Sequence, residues 1–133
     1  MVKSCARQEV RAIAWLLCVA MVGCAHPDTG GHARARSRNI LVSVCKIIWV
    51  AETETNSPPP TGLQELVQWL EQHSYKDEPY VDYAGRTIRD TWGNPIVLLS
   101  QDGKLAAVGS AGPNRVWEGG KGDDILVKLE EVR

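Results

Sequence analysis

The residues with the most chemistry are two adjacent carboxylates, Asp123 and Asp124. They end the glycine-rich run GSAGPNRVWEGGKGDD, residues 109–124. Neighbouring carboxylates repel unless water or a cation lies between them. Calcium takes roughly six to eight oxygens from carboxylates, amides and backbone carbonyls, and glycines let carbonyls turn inward. Asp123, Asp124 and the amide oxygen of Asn114 could supply the side-chain part of such a shell. The run is no EF-hand, because the alternating Asp/Asn ladder and closing Glu are absent. Nor is it a phosphate cradle, because no lysine-hydroxyl pair follows the glycines. On spacing alone a solvated acidic turn is the plainer reading, and the cation site stands beside it.

Other reactive residues are scattered. His26, His32 and His73 sit beside no plausible nucleophile, so no enzymatic activity is expected. His73 falls where a helix should end, and a dipole role suits it better than a metal. Trp92-Gly93-Asn94-Pro95 carries neither nucleophile nor base. Gly93 permits positive φ, and Pro95 holds Asn94 extended. Trp92 can fold over that turn, which makes the tetrapeptide a structural corner feeding a hairpin.

Stepping along the chain, residues 12–22 form an uncharged apolar run behind Lys3, Arg7 and Arg11, ending at Gly23-Cys24. The run is shorter than the roughly 20 residues of a membrane span and has the layout of a secretory signal. Met21-Val22-Gly23-Cys24 resembles a bacterial lipobox, in which the cysteine is lipidated and the signal is cut before it. That implies a signal peptide over 1–23 and a lipid on Cys24. Cys5 and Cys18 then leave with the signal. Cys45 is left without an intramolecular partner and reads as a small buried residue. The net charge of -1 loses three basic side chains and one acid with the signal, becoming -3. Nothing in that balance favours nucleic acid.

Residues 24–38 hold Pro27, Gly30, Gly31 and three arginines and read as a flexible linker, with Arg34, Arg36 and Arg38 near the proposed lipid. The folded domain is expected over 39–133. Asn39 is placed as an N-cap, and Ile40, Leu41, Val44, Ile47, Ile48 and Ala51 recur at helical spacing. Pro58-Pro59-Pro60 ends that helix. A second helix is expected from a Thr61/Gln64 capping box to His73, with Leu63, Leu66, Val67 and Leu70 as its apolar stripe. Residues 96–100 and 104–108 read as strands around an Asp102-Gly103 turn, with a last strand over 125–129. Helices followed by antiparallel strands make the fold class α+β.

Asp90-Thr91-Trp92-Gly93-Asn94-Pro95, the hairpin, Ser110-Ala111-Gly112-Pro113-Asn114 and Gly122-Asp123-Asp124-Ile125 together resemble the C-terminal domain of type II secretion major pseudopilins, the G-type. Residues 60–66, Pro-Thr-Gly-Leu-Gln-Glu-Leu, fit the same order. The resemblance covers about residues 40–126. It implies an α+β head exported across the inner membrane, whose terminal loop binds calcium. By position the implied ligands are Asn114, Asp123 and Asp124, with carbonyls near Val108 and Ser110. Asn114 stands where the family has Asp, and an uncharged amide lowers the expected affinity.

The N-terminus departs from that family. No prepilin-peptidase site or long membrane helix precedes the head, and the lipobox stands in their place. The expected function is therefore a non-enzymatic envelope lipoprotein. Its head would act as a structural or interaction component related to type II secretion or type IV pilus machinery. Its expected place is the periplasmic face of a membrane, the outer one by preference. Its expected partners are the membrane, through lipid, and other envelope or secretion proteins, with homo-oligomers open. The alternative is a divergent pseudopilin subunit that assembles into a pseudopilus.

Overall fold

A computed structural model describes residues 30–73, 75 and 77–133. Cys24, His26 and the signal segment lie outside the described residues. Helix α1 spans Gly30–Thr55 and α2 spans Leu63–Gln72. Strands β1 (Val81–Asp82) and β2 (Thr87–Ile88) form one antiparallel pair. Strands β3 (Val97–Gln101), β4 (Lys104–Ser110) and β5 (Ile125–Lys128) form an antiparallel sheet with β4 in the middle. A 3-10 turn, Leu129–Glu131, follows. This is an α+β fold.

Helix α1 lies against β4 and β5, and α2 against β2. The apolar stripe on α1 is the expected one. Leu41, Val44, Ile47, Ile48 and Ala51 are buried, with Ile40 at its edge. They meet Val108, Ile125 and Val127 of the sheet in one core, which also takes Leu66, Val67, Trp69 and Leu70 of α2. Cys45 is buried in that core as a free thiol. Burial, reinforced by the charge of Glu131, pushes its pKa up to about 12. It stays protonated at neutral pH and is a poor nucleophile.

Two helix starts differ from the sequence expectation. Helix α1 begins at Gly30, so Asn39 is an exposed mid-helix residue and residues 30–38 are helix rather than linker. The reason is tertiary. Ala33 and Ser37 continue the buried face two turns and one turn ahead of Leu41, at i, i+4 spacing. Helix α2 is capped by Gly62, without a side-chain cap, so the Thr61/Gln64 box does not form. The Gly62 carbonyl instead accepts the first helical bond, from Leu66 N at 2.9 Å.

Other boundaries follow local chemistry. Asn56 takes φ 50° just past α1, and the prolines follow. Asp102 and Gly103 both have positive φ, 53° and 73°, as a two-residue type I′ hairpin turn requires. Strands β3, β4 and β5 occur within two residues of their expected limits. The β1–β2 pair had no sequence signal, since each strand is two residues long. Among the described residues, no helix is long and apolar enough to cross a membrane.

Candidate functional site

Two polar centres flank the end of β4. The first is Asp90, which is 6% exposed. Its Oδ1 accepts from Trp92 N at 3.0 Å and Asn94 N at 2.8 Å. Its Oδ2 accepts from Asn94 Nδ2 at 3.0 Å and from the Ser110 hydroxyl at 2.6 Å. Asn94 Nδ2 also donates to the Gly112 carbonyl, and Gly112 N donates to Ser110 Oγ. Beside this centre Ser37 Oγ accepts from Thr91 N at 3.0 Å, so α1 is tied to the same corner. Gly93, at φ 81°, makes the turn between Trp92 and Asn94. Pro95 follows in an isolated bridge to Arg89, and Trp92 packs half-buried against the core. The tryptophan corner is thus a structural joint, and Asp90 is its hub.

The second centre is the loop between β4 and β5. Its glycines are spaced for close approach. Gly112 takes φ 70°, and a Cβ there would stand 2.5 Å from the Asp123 carbonyl oxygen and 2.8 Å from its Oδ2. Gly109 is bare beneath Trp117, whose ring would meet a Cβ at 2.6 Å. The indole therefore pins the loop onto the sheet. Asp123 Oδ2 accepts from Asn114 N at 3.0 Å. Asp124 Oδ2 accepts from Glu118 N at 2.7 Å and Gly120 N at 2.9 Å.

Those bonds curl the loop so that Glu118 returns to the aspartates. Carboxylate oxygens of Glu118, Asp123 and Asp124 lie within 4.8 Å of one another. Asp124 is 5% exposed, and its Oδ1 is buried with no hydrogen-bond partner. A buried carboxylate oxygen without a donor is costly unless a cation or water meets it. Three hard oxygen donors this close could hold a metal ion.

Asp123 and Asp124 are therefore brought together, and Glu118 joins them from outside the expected ligand set. Its signal in the sequence was only its place in the same glycine-rich loop. Asn114 sits on the rim: its Oδ1 accepts from Val116 N at 2.8 Å and its Nδ2 donates to Glu118 Oε2 at 3.3 Å. Val108 lies mid-strand, paired with Leu98 and Val127, and Ser110 pairs with Ile125 while its hydroxyl serves Asp90. The histidines take separate places. His32 is exposed in the first turn of α1, and His73 ends α2 with its ring edge-on to Trp69 at 5.2 Å.

A basic residue reaches the loop from α1. Arg34 Nη1 donates to the Asp123 carbonyl at 2.9 Å and Nη2 to the Asp124 carbonyl at 3.2 Å. Arg34 falls in the stretch expected as a linker, and nothing local in the sequence marks the contact.

No family model, curated protein or solved structure matches this chain.

Proposed function

We propose that this chain is a non-enzymatic envelope lipoprotein, lipidated on Cys24, with a pseudopilin-like head ordered by calcium. The head serves as a structural or interaction component related to type II secretion or type IV pilus machinery, facing the periplasm. The observation that carries the cation part is the buried, unpartnered Asp124 Oδ1 beside Asp123 and Glu118. Calcium held there joins the middle of the β4–β5 loop, at Glu118, to its C-terminal end and lowers the repulsion among three acids. Its oxygens come from Glu118, Asp123 and Asp124, with carbonyls and water completing the shell. The α+β order, with a long first helix laid on an antiparallel sheet, is compatible with the resemblance described above.

Melting the full-length, detergent-extracted protein with and without calcium tests this reading. Calcium raises Tm, chelator reverses the rise, and joint substitution Asp123→Ala and Asp124→Ala removes it. Identical melting curves in calcium and chelator would overturn the cation site. Intact mass of the same preparation tests the anchor, because acylation at Cys24 adds a lipid mass.

A second reading, a divergent pseudopilin subunit, is favoured by one observation. The first helix is 26 residues long and does not start behind a loose tether at Asn39. Prepilin cleavage leaves a shortened, unacylated N-terminus, so the mass measurement separates the two readings.

A further inference from the structure

The first turns of α1 are held to the head by different forces from the rest of the helix. From Leu41 onward the helix is fixed by large apolar side chains in the core. Over residues 30–38 the only buried side chains are Ala33 and Ser37. A Cβ added at Gly30 or Gly31 would meet nothing within 4 Å. One methyl group and one hydroxyl bury little, and helix ends fray unless tied down. Polar ties add to these, among them Thr91 N to Ser37 Oγ, and Arg34 to the acidic loop.

We infer that Arg34 is a clasp joining the acidic loop and the first turns of α1 into one cooperative unit, so that calcium in the loop fixes the start of the helix against the head. The geometry is specific. The planar guanidinium places two donors on the carbonyls of consecutive residues, 89 and 90 positions away. Those carbonyls belong to Asp123 and Asp124, whose carboxylates form the acid cluster. A shift of that backbone moves clasp and cluster together. The carboxylates stay available because Arg34 binds the peptide oxygens and not the side chains. Arg34 is thus a positioning residue for the proposed cation site. Through it, occupancy sets how rigidly residues 30–38 are held to the head. The calcium part of this inference rests on the function proposed above, and the clasp itself does not.

Binding linkage makes the coupling reciprocal: whatever docks the helix must also tighten the loop. Hydrogen exchange on the full-length protein, with Arg34→Ala and Arg34→Lys beside wild type, reads both ends. In chelator, Arg34→Ala exchanges faster than wild type in both 30–38 and 112–124, while β4 and β5 keep their protection and report an intact fold. In calcium, wild type slows in both segments by roughly fivefold or more. In Arg34→Ala the loop still slows, residues 30–38 do not follow, and the calcium Kd rises by about fivefold. Arg34→Lys, a point charge without the fork, falls between them and serves if the alanine variant loses β4 protection. Unchanged protection of 30–38 in both variants, with or without calcium, would overturn the clasp. A wild type that ignores calcium would overturn the proposed cation site, while the chelator comparison still judges the clasp.

Discussion

Asp90 and Asp124 are buried to nearly the same extent, 6% and 5% exposed, yet their carboxylates are treated differently. Asp90 has four donors: Trp92 N, Asn94 N, Asn94 Nδ2 and the Ser110 hydroxyl. Asp124 has two donors on Oδ2 and none on Oδ1, with two further acids close by. Neutral donors surround the first carboxylate on both oxygens, so its charge is solvated by the protein itself. The second is solvated on one side only. A complete set of donors identifies a structural hub. An incomplete one, among like charges, is where the proposed cation would be met. The same side chain, at two places beside the end of β4, is thus solvated in two different ways.

The contrast can be broken from either side. The largest effect falls on Asp90→Ala, which removes a buried acceptor and strands four donors. We expect a loss of about 3 kcal/mol or more in urea unfolding, equal in calcium and chelator. A loss below about 1 kcal/mol would show that the corner holds without its hub. Next is Ser110→Ala, which removes one of the four donors and the acceptor used by Gly112 N. About 1–2 kcal/mol is expected in the same measurement, again independent of calcium. If calcium offset the loss, the two centres would be one network.

The sequence made some of these features legible and hid others for physical reasons. The β3–β4 hairpin was readable because Asp102-Gly103 is a local signal that needs no tertiary help. The stripe from Leu41 to Ala51 was readable because its apolar period is strong. The start of α1 was not, since Ala33, Ser37 and Arg34 carry no apolar period. Ser37 and Arg34 dock on Thr91 and on the Asp123 and Asp124 carbonyls, far along the chain. The Asp90 hub was hidden in part. Its bonds to Trp92 and Asn94 follow a local Asx-turn habit, whereas Ser110 lies 20 residues away. In the loop, Asp123 and Asp124 were visible as neighbours. Glu118 joins them only because Asp124 gathers Glu118 N and Gly120 N, a fold that spacing does not announce.

The smallest stability effect is expected where the two aspartates differ most. Asp124→Asn keeps an oxygen for Glu118 N and Gly120 N and replaces the unpartnered Oδ1 with a neutral amide. It removes one negative charge from a cluster of three. The weaker acceptor and the relieved repulsion oppose each other. In chelator the variant should therefore unfold within about 0.5 kcal/mol of wild type. Added calcium should then stabilise the wild type and leave the variant where it was. Urea unfolding of both proteins in both buffers gives the four values required. A variant that is strongly destabilised in chelator would mean that Asp124 is as complete a hub as Asp90. The incomplete carboxylate would then lose its claim to a cation.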